Sequence, residues 1–243
     1  MASNIIFKKI KFVNFIDKEF NQFVVKKGLF TFPAGPALAN IEKSKEYYNS
    51  LKNADFVFFD SGFFVLLLKI LKNINVYKFS GFKFLGLFFR YLKKNNEKKI
   101  FCIDPNLDFS KSNKKLIKRL GVKKSFNYIA PIYRTNNLVD KKLLKLINKF
   151  KPDYILINLG GGTQEVLGLY LRKRLKFKVT IFCTGAAISF YTKDQAPITD
   201  FIDKYYLGWF LRLLFNPLIF VKKYITGFKL IPMVIFNKVK VIN

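Results

Sequence analysis

A chain of 243 residues is long enough to bury a full core, so it suits one domain, or one domain with an appendage. Its 44 Lys+Arg against 15 Asp+Glu leave a net charge of +29, yet 51% of the residues are hydrophobic and 18% aromatic. That combination excludes a disordered polycation, which lacks the apolar side chains needed to offset the entropy of ordering.

The absence of histidine excludes a His general base, a Ser-His-Asp triad, a His metal ligand and a His pH switch. Cys102 and Cys183 alone form neither a thiolate zinc site nor a disulfide scaffold at this length, which points to a reducing compartment. Part of the Lys excess, with the abundant Phe, Ile and Asn, fits an A+T-rich coding bias. The rest implies an anionic partner: nucleic acid, an anionic membrane surface or phosphorylated substrates. The first residues lack the basic and apolar regions of a secretory signal.

Short, continuous apolar runs predict strands at 56–59, 76–79, 100–103, 126–129, 154–159 and 179–183, each of the kind buried on both faces. Between them, helices are predicted at 38–51, 63–71, 84–94, 113–120, 138–150 and 163–175. In 138–150, Leu143, Leu144, Ile147 and Phe150 share one face and lysines hold the other. This alternation predicts an α/β fold: a Rossmann-like, open, mostly parallel sheet flanked by helices, over residues 1–197.

The pattern changes after Pro197. Residues 205–221 are the most apolar long stretch, but Arg212 interrupts it, Asn216-Pro217 follow, and it falls short of the ~20 apolar residues of a spanning helix. It reads as helical pieces lying on a membrane surface or packing on the core. Residues 198–243 are therefore predicted to form a helical, membrane-associating appendage. Trp209 and Phe210 suit its headgroup boundary, and Lys222 and Lys223 suit anionic lipid.

Gly160-Gly161-Gly162-Thr163-Gln164-Glu165 follows a predicted strand and opens a predicted helix, the place where α/β sheets bind phosphates. It is neither a Walker loop nor G-x-G-x-x-G. A tight turn with Thr163 as N-cap explains the glycines equally well. Gln164 and Glu165 suit contacts to sugar or nucleoside hydroxyls. Asp60-Ser61-Gly62 occupies the same kind of strand end, as a carboxylate at the mouth of the sheet or as an ordinary cap. Ser80-Gly81 is a third such place, and 31–36 forms a further rim loop or a rigid turn. No DxD element occurs; Asp104 and Asp108 come nearest, with the wrong spacing.

Several elements recur in order with a known pattern. Thr31-Phe32-Pro33 resembles a Thr-Pro-Asn loop, and Ala54-Asp55 with Asp60 an Ala-Asp … Asp-Gly element. Ser80-Gly81 matches a glycine-bearing strand end, and 160–165 a G-x-P-x-Q-E hallmark. Gly185-Ala186-Ala187, Ala196-Pro197, Trp209 to Leu213, Asn216-Pro217 and Lys223-Tyr224 follow. Over roughly residues 28–225 the chain resembles the WecG/TagA/CpsF glycosyltransferases. It departs from the pattern at Ser61 (Gly), Gly162 (Pro), Ser189 (Asp) and Gly208 (Glu).

The resemblance implies an inverting transferase that moves an N-acetylmannosamine-type sugar from a UDP-sugar to a polyprenyl-diphosphate-linked sugar, without cofactor or metal. Asp60 is implied as base, Thr31 and Arg212 complete the catalytic set, and Ser80, Gly81, 160–165 and Gly185 bind substrate. The implied place is the cytoplasmic face of the plasma membrane, with an anionic membrane surface as partner, no nucleic acid, and a homo-oligomer left open. The competing readings are a non-enzymatic, nucleic-acid-binding basic α/β protein and an inactive family member.

Overall fold

The computed structural model describes residues 4–192, 194, 221 and 225–242. Its strands are β1 (Asn4–Phe7), β2 (Ile10–Val13), β3 (Gly28–Thr31), β4 (Phe56–Phe58), β5 (Lys99–Asp104), β6 (Lys124–Ile129), β7 (Tyr154–Ile157), β8 (Thr180–Cys183) and β9 (Val239–Ile242). They form one nine-stranded sheet in the order β6-β5-β7-β8-β3-β4-β2-β1-β9. Every pair from β6 to β2 is parallel, and β1 runs antiparallel to both β2 and β9. The helices are α1 (Phe20–Val24), α2 (Gly35–Leu38), α3 (Lys45–Lys52), α4 (Gly62–Lys72), α5 (Gly81–Lys94), α6 (Leu107–Arg119), α7 (Lys141–Phe150), α8 (Thr163–Arg174), α9 (Ser189–Thr192) and α10 (Leu230–Phe236). The α/β class and the mostly parallel sheet are as expected.

The continuous apolar runs are explained by helices on both faces. Along β7, Tyr154 and Leu156 enter one core, and Ile155 and Ile157 the other. The first core lies under α5 and α6 and is built from rings. Phe84 and Phe88 of α5 stand 4.6 and 5.1 Å from Phe182 of β8, and Phe32 stacks on Phe58 at 4.9 Å. Each such buried side chain contributes about 1.5–3 kcal/mol, which fixes α5 over the middle of the sheet. On the other face α7 and α8 cover β5, β7 and β8, while α3, α4 and α10 cover β1, β2 and β4. Within α8, a Cβ on Gly168 would lie 2.7 Å from Leu29 and 2.9 Å from the Cys183 sulfur, so the missing side chain lets α8 sit down on the sheet.

Two expectations are corrected. Residues 76–79 are not a strand: β4 already has β2 and β3 on its two sides. The segment instead runs extended past the carboxyl edge, held by Phe79 N–H donating to Phe59 O at 2.9 Å and Tyr77 N–H to Asn14 Oδ1 at 2.8 Å. The helix expected at 38–51 is broken, because Ser44 adopts an extended conformation and its hydroxyl accepts the Tyr47 N–H at 3.2 Å, restarting the chain as α3. Strands β1, β2, β3 and β9 were not anticipated. β1 and β2 form a hairpin whose two turn residues, Lys8 and Lys9, both have positive φ, a conformation usually signalled by Asn or Gly.

The boundary expected at Pro197 lies outside the described residues. Beyond it, α10 packs on α4, and β9 extends the same sheet by pairing with β1 (Ile5 with Val241). Among the described residues, no helix is long and apolar enough to cross a membrane.

Candidate active site

The chain leaves β3 for its neighbour β4, then leaves β4 across the sheet for β5. Connections that depart in opposite directions open a crevice at the carboxyl edge of a parallel sheet. Asp60 stands there, two residues past the end of β4, half-buried. Its Oδ1 accepts the Gly81 N–H at 2.8 Å. Ser61 caps α4 by accepting the Phe64 N–H at 3.2 Å, and Ser80 caps α5 by accepting the Lys83 N–H at 3.1 Å. The carboxylate thus lies between two helix amino-termini, whose dipoles favour negative charge.

Neighbouring strand ends close tightly around it. A Cβ on Gly81 would stand 3.3 Å from Thr184 O and 3.7 Å from Phe32 Cβ, and one on Gly35 would stand 2.7 Å from Ser61 Oγ. The ends of β3, β4 and β8 therefore meet at Asp60.

The glycine turn forms the adjoining rim. Asn158 continues β7 by donating its N–H to Ile103 O at 2.9 Å, and α8 opens at Thr163. The N-cap is Gly162, at φ +92°, rather than Thr163. A Cβ on Gly160 or Gly162 would meet nothing within 4 Å, whereas one on Gly161 would press on Ala37 of α2 at 3.2 Å.

Gln164 and Glu165 point inward. Gln164 Oε1 accepts the Gly185 N–H at 2.6 Å, and its Nε2 donates to Glu165 Oε1 at 2.9 Å. Glu165 Oε2 accepts the Gly162 N–H at 2.7 Å. Burial pushes the Glu165 carboxyl up to about 7; its hydrogen bonds pull against that, and the Asp60 charge adds to it.

The structure thus brings Asp60, Ser80, Gly81, Gly185 and residues 160–165 to one edge. Of these, Gly160 and Gly161 are exposed, while Gln164 and Glu165 are buried struts of the wall. Thr31 ends β3 fully buried, its hydroxyl donating to Phe56 O at 3.4 Å. Arg212, Trp209, Phe210, Lys222 and Lys223 lie outside the described residues.

Other residues at this edge escaped sequence reasoning. Tyr47, in the first turn of α3, is buried and its hydroxyl has no hydrogen-bond partner among the described residues; burial raises its pKa, and the charges of Glu165 and Asp60 raise it further. Thr184 Oγ1 and Asn158 Oδ1 are likewise buried with no partner among the described residues. Asp104, ending β5, is fully buried and accepts from three carboxamides: Asn113 at 2.7 Å, Asn158 at 2.8 Å and Asn127 at 2.8 Å. The available signal was positional: Asp104 directly follows a predicted strand, and Asn158 lies two residues before the first of the glycines. Tyr47 had none, because it reads as a core aromatic of an amphipathic helix.

These features define an α/β protein with a carboxylate-bearing ligand crevice at the switch point of its sheet. The chain belongs to the WecG/TagA/CpsF family of glycosyl transferases, whose family model matches residues 4–242, nearly its whole length. It is accordingly a glycosyltransferase of cell-surface glycan biosynthesis. A search of curated proteins finds no match.

Proposed function

We propose that the enzyme transfers an N-acetylmannosamine-type sugar, with inversion, from a UDP-sugar to a polyprenyl-diphosphate-linked sugar at the cytoplasmic face of the plasma membrane. The observation that carries this reading is the place of Asp60: a half-buried carboxylate at the end of β4, oriented by the Gly81 N–H, in the crevice between β3, β4 and β8.

In the proposed step the acceptor hydroxyl oxygen attacks the anomeric carbon of the donor. Asp60 takes the hydroxyl proton as the new C–O bond forms, and the bond from that carbon to the diphosphate oxygen breaks, releasing UDP. Charge develops on the leaving diphosphate, and the open turn at 160–162 before the α8 amino-terminus is suited to receive it. Arg212 is proposed as a further counter-charge. Residues 205–224 are proposed to hold the enzyme on anionic lipid through Trp209, Phe210, Lys222 and Lys223.

The test is a screen of UDP-sugars against a lipid-diphosphate-sugar acceptor, with the anomeric configuration of the product read by NMR. A product of inverted configuration, formed from UDP-N-acetylmannosamine in preference to its epimers, is expected. Retention, or transfer only from other nucleotide sugars, overturns the reading. Lys222→Glu with Lys223→Glu tests the docking segment while sparing α10 and β9, which a truncation would remove.

A further inference from the structure

The amino edge of the sheet, at the far end of the strands from Asp60, holds a second concavity. Strands β5 and β6 pair there in parallel, with Lys99 opposite Lys124 and, two residues on, Phe101 opposite Phe126. Residues two apart share a face, so both lysines lie beside both rings, on the side covered by α7. The end of α7 adds Leu146, Lys149 and Phe150, and together Lys99, Lys124, Phe126, Leu146, Lys149 and Phe150 line a groove of about 390 Å³. Small-molecule sites are concavities of this kind, ~300–1,000 Å³, mostly apolar with a few polar groups.

The groove is open because β6 is the edge strand. Phe126 stacks on the fully buried Phe101 at 5.0 Å and 18°, and Phe150 stands 6.0 Å from Phe126 at 51°. Among the described residues no strand lies beyond β6, so the stack ends at Phe126, which is half-buried like Phe150. Like charges directly opposite on neighbouring strands repel, as Lys99 and Lys124 do, and Lys149 adds a third to the same groove. Among the described residues none of these three ammonium groups is paired with a carboxylate. The carboxylate of Asp153 accepts the Lys99 backbone N–H at 2.9 Å. An anion among the three ammonium groups offsets the repulsion, and a planar group laid on Phe126 continues the ring stack. A nucleotide offers both at once. Inorganic phosphate leaves the rings uncovered, and an aliphatic tail leaves their faces unstacked. A second copy of the chain brings the same lysines on a molecule of net charge +29.

We propose that this groove is a nucleotide-binding site distinct from the catalytic crevice, with the base against Phe126 and Phe150 and the phosphates among Lys99, Lys124 and Lys149. Lys99 and Lys124 begin their strands, and a six-residue strand spans roughly 20 Å, so a nucleotide held here does not reach Asp60. Its binding is therefore that of an effector rather than a substrate, and does not depend on the reaction proposed above.

The experiment is equilibrium dialysis of the full chain against radiolabelled ADP, with a melting temperature recorded for every variant. Wild type is expected to bind one ADP per chain. Lys99→Gln with Lys124→Gln and Lys149→Gln is expected to weaken binding by roughly tenfold or more. It is expected to melt no lower than wild type, because it removes a like-charge pair. Lys114→Gln with Lys115→Gln and Lys118→Gln, all exposed on α6, removes the same charge and is expected to leave binding within about twofold. Phe126→Leu keeps an apolar side chain but removes the ring. It is expected to weaken ADP by roughly fivefold or more and to leave inorganic pyrophosphate binding as it was. Wild type that binds no ADP at millimolar concentration, ADP that stays bound to the groove triple variant, or equal losses in the two triple variants overturns the proposal. So does Phe126→Leu protein that binds ADP like wild type, which reduces the groove to a simple anion site. An oligoadenylate that covers several nucleotides per chain and binds far more tightly than ADP marks a nucleic-acid track instead, and overturns it too.

Discussion

The side-chain oxygen of Gln164 accepts the backbone N–H of Gly185 at 2.6 Å, joining the first turn of α8 to the loop after β8. The contact continues through Gln164 Nε2 to Glu165, and through Glu165 to the Gly162 N–H. A buried polar chain therefore braces the glycine turn against the neighbouring strand end, and the shape of the crevice depends on residues a ligand need not touch.

Gln164→Ala leaves the buried Gly185 N–H without its acceptor, a loss of about 1–3 kcal/mol. Urea melts are expected to show that loss, and donor titrations a raised KM with a smaller change in kcat. Unaltered melts and unaltered KM together would mean that the brace is dispensable.

Asp60→Asn keeps an oxygen for the Gly81 N–H and removes the base. Turnover is expected to fall by roughly 10²–10⁴ while the melting temperature stays within a few degrees. A folded Asp60→Asn enzyme with near-normal turnover removes Asp60 from the chemistry.

Much of this arrangement was legible in the sequence, for identifiable reasons. Strands such as β5 and β7 carry apolar side chains towards both layers of helices and so read as unbroken runs. Asp60 and residues 160–162 were visible as polar or glycine-rich strand ends. The inward course of Gln164 and Glu165 was not, because it follows from how closely α8 sits on β3 and β8 at Gly168. Residues 76–79 have strand-like composition, but both edges of β4 are taken. The β1–β2 hairpin was hidden because Lys8 and Lys9 make a turn that Asn-Gly usually announces.

Glu165 links pH to stability. Burial raises its folded pKa to about 7 from an ordinary value of 4.5, so the folded state holds the proton more tightly than the unfolded chain. Its contribution is complete below about pH 4.5 and is lost as pH rises through about 7, a change of roughly 3 kcal/mol. Melts of wild type against Glu165→Gln are expected to diverge over that window, with wild type losing more stability on the alkaline side. Asp60→Asn removes a charge that raises this pKa, so the midpoint is expected to move down. Parallel pH profiles for all three proteins would refute the linkage.

Asp104 satisfies three carboxamides at once, two of them on the buried Asn113 and Asn158, with Asn158 close to the glycine turn. Asp104→Ala strands those donors and is expected to cost about 3 kcal/mol or more. Asp104→Asn retains one acceptor oxygen and is expected to fall between that variant and wild type. Chemical denaturation of the three proteins checks the order, and equal midpoints would show that the network carries no stability.

Gly162 gives the sharpest backbone test, because the resembling G-x-P-x-Q-E pattern has Pro at this position. Gly162 sits at φ +92°, ψ −58°, and its N–H donates to Glu165 Oε2 at 2.7 Å. Proline locks φ near −65° and has no N–H, so Gly162→Pro both forces the turn to rebuild and strips a buried carboxylate of a donor. It is expected to cost more than about 3 kcal/mol, although it restores the common residue. Gly162→Ala keeps the N–H and enters open space, so it incurs backbone strain alone, about 1–3 kcal/mol. Gly160→Ala serves as control. Its φ is not positive and its Cβ meets nothing within 4 Å, so stability is expected to hold. If the donor lies against the turn, the added methyl group at residue 160 raises KM without changing the melt. Urea midpoints in the order Gly160→Ala, Gly162→Ala, Gly162→Pro, from most to least stable, are the expected result. A Gly162→Pro protein as stable as wild type would show that the turn accepts the proline conformation, and the account of this departure from the pattern would have to be abandoned.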